Sequence, residues 1–177
     1  MRKTLSEMNV KDDTQGGDAE VKCLLYNSMD QKALEYFVKE MYEYRGYSFD
    51  PTGLHSDIRQ VDKAYFSTGG QFWVIKEQDN RIIGTIALKI TDKEKGICEI
   101  KRFFVLPENQ GHGKGKLLMG TAIDYARSIN LKKVRLDTMK SSIVARAIFR
   151  KFGFLEIPQY NDNDIAELFY ELKINQV

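Results

Sequence analysis

Gln110-Gly111-His112-Gly113-Lys114-Gly115-Lys116 places glycine at every second position between two apolar patterns of different period. Before it, the β-type run from Ile100 to Val105 ends at Pro107, and after it Leu118, Ala122, Tyr125, Ala126 and Ile129 recur at helical spacing. A strand that feeds a glycine-rich loop, which then opens a helix, gathers unpaired backbone N–H groups and the positive end of a helix dipole at one point. That is the chemistry of an anion site, and pyrophosphate is its usual occupant. Side chains in place of the glycines would hold phosphates away from the amides. Two familiar phosphate patterns do not fit. The Walker pattern needs four residues between its first glycine and a Gly-Lys-Ser/Thr ending, which this loop lacks. The dinucleotide pattern G-x-G-x-x-G would need glycine where Lys116 stands, and no acidic residue follows at a strand end about twenty positions on. The pattern that fits is Q/R-x-x-G-x-G/A, carried by Gln110 to Gly115.

The elements that must position this loop can be read in chain order. Residues 1–20 are polar and aperiodic and are expected to form a flexible N-terminal extension, leaving a domain over 21–177. Val21 to Asn27 reads as a short strand, and Ser28 or Asp30 can cap a helix that carries Leu34, Phe37, Val38, Met41 and Tyr42 on one face. A second amphipathic segment follows with Ile58, Val61, Ala64, Tyr65 and Phe66, closed by Gly69 and Gly70. Phe72 to Glu77, Ile82 to Thr91 and Ile97 to Val105 read as an antiparallel meander. After the glycine loop and its helix, Lys133 to Thr138 returns as a strand, which implies a parallel, right-handed crossover. Ala145, Ile148, Phe149 and Phe152 mark a last helix stopped by Gly153, and Phe154 to Ile157 and Leu168 to Ile174 complete the sheet. The order β-α-α-β-β-β-α-β-α-β-β defines a mixed α/β fold on one sheet.

Composition removes several function classes. The chain of 177 residues is 42% apolar and 29% charged, ordinary values for one globular domain. A net charge of +2 leaves no electrostatic footprint for nucleic acid or a membrane surface. Cys23 and Cys98 lie in strand-like runs, match no metal motif, and read as buried thiols rather than a disulfide. No transmembrane stretch or apolar signal core is present, so a cytoplasmic location is expected, with no metal, as a monomer or homodimer.

This order, with the glycine loop between the fourth strand and the third helix, resembles the GNAT superfamily of N-acetyltransferases from about Val21 onward, and the loop resembles that family's acetyl-CoA pyrophosphate loop. In a second family pattern, N-x-x-A-x-x-x-Y-x-x-x-G-F, the places are occupied by Ser142, Ala145, Phe149, Gly153 and Phe154, with serine for the asparagine and phenylalanine for the tyrosine. Leu136-Asp137-Thr138, the Phe154 to Asn163 stretch and Phe169 to Leu172 resemble a set of small bacterial-type members. The resemblance implies a mostly antiparallel sheet with a β-α-β acetyl-CoA unit. It implies that Phe103, Phe104 and Val105 supply main-chain groups near the acetyl and pantetheine units, and that Gln110, Gly111, His112, Gly113, Lys114, Gly115 and Lys116 surround the pyrophosphate. Ser142, Ala145 and Phe149 would border the pantetheine arm. The cosubstrate is then acetyl-CoA and the acceptor a primary amine of a small molecule, an amino-acid derivative or a peptide.

Acetyl transfer to an amine needs a base for the ammonium proton, donors for the oxyanion and a proton for the leaving thiolate. Glu99 is the candidate base. It lies on the fourth strand eleven positions before Gln110, where the resemblance to histone-type members of the family implies a glutamate base, and an apolar strand would partly desolvate it. The alternative is a solvent-facing glutamate or a partner for Arg102. The acid is where the sequence departs from the family, because Phe149 occupies the usual tyrosine position and has no proton to give. Tyr160 and Tyr170 are the candidate stand-ins. Tyr42, Tyr44, Tyr47 and Phe49, the turn before Phe72 and the Tyr160–Asp164 stretch are expected around the acceptor, with Asp162 and Asp164 attracting a cationic amine. The missing tyrosine also leaves open a module that binds acyl-CoA without transferring it.

Overall fold

The computed structural model describes residues 21–174. Seven strands form one sheet: β1 (Cys23–Leu25), β2 (Gln71–Lys76), β3 (Ile82–Asp92), β4 (Ile97–Val105), β5 (Lys133–Thr138), β6 (Leu155–Ile157) and β7 (Leu168–Lys173). Their order is β1-β2-β3-β4-β5-β7-β6, and only β4 and β5 run parallel. The helices are α1 (Gln31–Tyr44), α2 (Val61–Ala64), α3 (Lys114–Ser128) and α4 (Ile143–Lys151). The mixed, mostly antiparallel sheet with a β4-α3-β5 crossover is the one the sequence implies. The expected extension over 1–20 lies outside the described residues.

Side-chain alternation assigns the two faces. Trp73 on β2 packs edge-on against Tyr125 of α3, with ring centroids 5.4 Å apart. Its neighbour Phe72 points the other way and meets Tyr65, just after α2, at 5.4 Å. The helix α1 buries Leu34, Phe37, Val38 and Met41, the stripe its spacing predicts. Its start differs from expectation. The Asn27 side chain accepts from the Met29 N–H and caps a preceding 3₁₀ turn, while Asp30 makes no capping bond and instead takes the Lys76 ammonium. Among the described residues no helix is long and apolar enough to cross a membrane.

The second amphipathic segment is not one helix. It breaks into a 3₁₀ turn at Ser56–Ile58, the short α2, and another 3₁₀ turn at Phe66–Thr68. The Tyr65 hydroxyl donates to Asp57 Oδ2 at 2.5 Å, across eight residues. A continuous helix would separate those residues by about 12 Å, so the bond requires the break.

Asp57 also fixes the most consequential irregularity in the sheet. Thr85 pairs with Phe104 and Ala87 with Lys101, so one residue of β3, Ile86, faces two of β4, Arg102 and Phe103. This is a β-bulge, and Arg102 within it has φ of 52°, a conformation that costs a non-glycine residue roughly 1 kcal/mol or more. The bulge is held from two sides. Thr85 Oγ1 donates to the Arg102 carbonyl at 2.7 Å. The Arg102 guanidinium reaches the α1 and α2 face, donating to Asp57 at 2.9 and 2.5 Å and to the Tyr42 hydroxyl at 2.6 Å. On its other edge, β4 pairs with β5 only from Ile97 to Glu99, and beyond Glu99 the two strands part.

Burial alone would raise the Asp57 pKa, but the Arg102 hydrogen bonds and charge outweigh it and hold the carboxyl below the usual range. A carboxyl depressed in the folded state contributes stability above its unfolded value, near pH 4, and loses it as pH falls through the folded value. Asp57→Asn should therefore cost about 3 kcal/mol at neutral pH. In urea titrations the variant should also lose less stability than the wild type between pH 5 and pH 3, whereas parallel losses would show that the pair does not lock the bulge.

Candidate active site

Where β4 and β5 part, a cleft of about 750 Å³ passes through the sheet. Phe103 lines it from the face of α3 and α4, its ring 5.9 Å from that of Phe149. Phe104 lines it from the α1 face, 5.9 Å from the Tyr42 ring. The Leu106 N–H donates to Ile83 on β3 at 3.0 Å, so the peptide groups of Val105, one residue back, turn to the opposite, unpaired edge. There the Val105 carbonyl accepts from Gln110 Nε2 at 3.0 Å. The Val105 N–H on that same edge faces the fork. A glutamine at position 110 thus ties the end of the strand to the start of the glycine loop.

The loop glycines serve different ends. Gly111 and Gly113 have φ of 82° and 78°, the left-handed region, and a Cβ on either would meet no atom within 4 Å. Backbone conformation is what requires glycine there, in addition to any access for phosphates. Gly115 is different: a Cβ would stand 2.7 Å from Ile148 Cδ1 and 3.5 Å from Phe103, so its absence lets α3 lie against α4. Gly113 is the N-cap of α3, and its carbonyl takes the first helical bond from Leu117 N–H at 3.0 Å. The N–H groups of Lys114, Gly115 and Lys116 are left without intrahelical acceptors, and Gly115 and Lys116 border the cleft.

The other cleft residues come from the end of α1, the end of β5 and the start of α4. Tyr44, Arg45 and Tyr47 form one end, and the Tyr47 hydroxyl donates to Met139 Sδ at 3.1 Å across the mouth of the fork. On α4, Ser142 and Ala145 line the wall, and the Ser142 hydroxyl makes no capping bond. Ile143 and Val144 are exposed apolar residues at the same helix start. Among the described residues the charged ones lining the cleft are Arg45, Lys116 and Lys151, with no carboxylate.

Three of the expected cofactor residues stand elsewhere. His112 is exposed and Lys114 half-buried, neither lining the cleft. Phe149 is 3% exposed, packed among Phe103, Phe154 and Tyr170, so it supports the wall from behind rather than forming it. The turn before Phe72 also stands away from the cleft, its Gly69 carbonyl accepting from Tyr125 on α3. Asp162 and Asp164 are exposed outside it.

Glu99 and Tyr160, separately singled out in the sequence, meet. The Tyr160 hydroxyl donates to Glu99 Oε1 at 2.6 Å, and Asn161 Nδ2 and Lys101 Nζ reach the same oxygen at 2.9 and 3.0 Å. Asn161 Nδ2 also donates to Asp137 Oδ2 at 2.7 Å. Glu99 is 6% exposed, at the last position where β4 pairs with β5, on the same sheet face as Lys101 and Asp137. It is not among the cleft-lining residues. Burial and then the Glu99 carboxylate push the Tyr160 hydroxyl above the ordinary tyrosine range, so it remains a proton donor. Arg102, the alternative partner for Glu99, is committed to Asp57. Tyr170 is buried behind Phe149. Cys23 and Cys98 are free thiols that burial pushes up to about 11 and about 12, which leaves neither a nucleophile at neutral pH. Arg45, Lys101, Asn161 and Lys151 carry no local signal in the sequence; Ile143 and Val144 could have been flagged as apolar residues off the buried stripe of α4.

Comparison with known proteins gives the family. The family model described as "Acetyltransferase (GNAT) family" matches residues 32–154. The chain belongs to the GNAT family of acetyltransferases. It is 41% identical over 81 residues to an uncharacterised N-acetyltransferase of Dictyostelium discoideum, a match covering 44% of this chain and 38% of that relative. Among solved structures, a GNAT-family acetyltransferase from Staphylococcus aureus Mu50 superposes with a TM-score of 0.80 at 22% identity, covering 88% of this chain and 99% of that one. A phosphinothricin acetyltransferase from Sinorhizobium meliloti, solved in complex with AcCoA, superposes with a TM-score of 0.70 at 13% identity, over 87% and 88% of the two chains. At these identities the structures speak for the fold.

If Gly113 is required by its left-handed backbone, Gly113→Ala should destabilise the protein by about 1 kcal/mol although its Cβ meets nothing. Urea denaturation measures this directly, and an unchanged midpoint would contradict the left-handed cap.

Proposed function

We propose that this protein transfers an acetyl group from acetyl-CoA directly to a primary amine of a small molecule, an amino-acid derivative or a peptide. One observation carries the reading: the fork between β4 and β5 opens at one end on a glycine loop with helix N-terminal amides and lysines, and at the other on the face that holds Glu99. The donor set fits a pyrophosphate ligand, since free amides, Lys116 and Lys151 border the cleft and, among the described residues, no carboxylate does. The AcCoA complex of the Sinorhizobium meliloti enzyme of the same fold is consistent with this cosubstrate.

Bound acetyl-CoA would supply an acyl group activated as a thioester. The Val105 N–H, turned to the unpaired edge, is the donor for a carbonyl oxygen lying in the fork, and a fixed main-chain dipole acts without reorganisation. Gln110 bonds the following peptide through the Val105 carbonyl and so steadies the residue that carries this N–H. Glu99 accepts the ammonium proton, directly or through a water. Its Oε1 takes three donors, from Tyr160, Asn161 and Lys101, which orients the carboxylate and leaves Oε2 for the proton. Tyr160 contributes by holding Glu99. Its proton is engaged there, and with Phe149 unable to donate, the thiolate leaves with a proton from solvent or from the acceptor.

Thiol release from acetyl-CoA across an amine panel tests the reading. Glu99→Gln should lower kcat by about 100-fold or more and flatten the acidic limb of the rate profile. The affinity for acetyl-CoA should be retained. Unchanged kcat and pH profile would remove Glu99 as the base. Acetyl-CoA binding with no release from any amine would favour instead a module that binds acyl-CoA without transferring it.

A further inference from the structure

The cleft carries cations at both ends. Lys116 and Lys151, beside the glycine loop and on α4, lie where phosphates are expected. At the other end stands Arg45, the residue that closes α1, with its guanidinium carbon 5.0 Å from the centroid of the Phe104 ring. Among the described residues Arg45 makes no ion pair and no side-chain hydrogen bond, whereas Arg59, Arg81, Arg102, Arg127 and Arg135 each meet a carboxylate. Its neighbours in the cleft are Tyr44, Tyr47, Phe104 and Met139, aromatic and thioether surfaces without a negative charge.

This arrangement is at odds with a simple amine as acceptor. An acceptor amine reaches the site as an ammonium, and an unpaired guanidinium at the entrance repels it. The charge is compensated only when the acceptor brings an anion of its own. A guanidinium stacked on an aromatic ring keeps a planar fork of donors at its rim, the geometry that reads a carboxylate through paired hydrogen bonds. Burial against the ring pulls the Arg45 pKa below the usual arginine range, and the group remains a cation.

We propose that the acceptor is an amine that carries a carboxylate, and that Arg45 binds this carboxylate while the aromatic and methionine surfaces around it hold the acceptor's apolar part. The inference rests on the acetyl-transfer reading and narrows its acceptor to amino acids and peptides with a free acid group near the amine. Lys101 is not a second anion site, because its ammonium already lies against Glu99 and Asp137.

The test pairs each free amino acid with its amide and with its decarboxylated amine, and adds dipeptides, in the thiol-release assay with wild type, Arg45→Met and Arg45→Lys. The free acids should be preferred, with kcat/KM at least about 10-fold above the amides, as expected for losing a charge-assisted contact. Arg45→Met should erase that preference through KM for the acid, with the KM for acetyl-CoA moving less than about twofold, and Arg45→Lys should restore part of it. Equal use of acids and amides, or an Arg45→Met effect confined to acetyl-CoA, overturns the proposal. Dipeptide acceptance with amino acids refused would assign the carboxylate to a peptide. Binding of N-acetyl-amino acids, followed by calorimetry on wild type and Arg45→Met, separates the two levels. Binding that Arg45→Met abolishes upholds the carboxylate site even if no amine releases thiol, in which case the transfer reading alone fails. Absence of such binding, together with no preference in turnover, overturns the site.

Discussion

Strand β4 is bonded to β5 over three residues and then turns away from it, and the cleft exists because of that divergence. Two constraints enforce it. The bulge at Arg102 gives β4 an extra residue and re-aims the end of the strand, so that Phe103 and Phe104 border opposite sides of the cleft. The Arg102–Asp57 pair, with Tyr42 and Tyr65 attached, then fastens that bulge to the α1 and α2 layer. A strained backbone persists only where its surroundings over-determine it, and here a bidentate ion pair, two phenols and the Thr85 hydroxyl do so. The remainder depends on the divergence: a peptide edge at Val105 free of a sheet partner, a glycine loop anchored to it by Gln110, and a passage from one face of the sheet to the other.

Charge is distributed unevenly along this passage. Lysines and helix amides border the loop end, while the carboxylates Glu99 and Asp137 are gathered on one sheet face outside the cleft. Buried and bonded by three donors, the Glu99 carboxylate is held in one orientation.

Much of this was legible in the sequence because it is local. The alternating glycines, the β-type run ahead of them and the helical period behind them specify a strand–loop–helix unit without help from elsewhere, and the meander and the β-α-β crossover follow from periodicity and turn residues. The parts that were not legible depend on contacts between distant residues. Asp57 and Arg102 are 45 positions apart, and Asp57 and Tyr65 bond only because the segment between them is not a continuous helix. Glu99 and Tyr160 each looked chemically able, but nothing in the chain announces that they meet across 61 positions. Phe149 illustrates the opposite error. A motif position indicates a place on a helix, and the packing of Phe103, Phe154 and Tyr170 decides that its ring lies behind the wall. The glycines themselves were read for phosphate access, whereas left-handed backbone at Gly111 and Gly113 and the contact between α3 and α4 at Gly115 already require them.

The central claim is that the parted edge of β4 and the glycine loop form one continuous binding surface for acetyl-CoA. The most direct test is a titration of ¹⁵N-labelled protein with acetyl-CoA, followed through backbone amide resonances. The amides of Phe103, Val105, Gly111, Gly113 and Gly115 should shift together with a single saturation curve. Shifts that saturate elsewhere while the Val105 and Gly113 amides stay in place would contradict it.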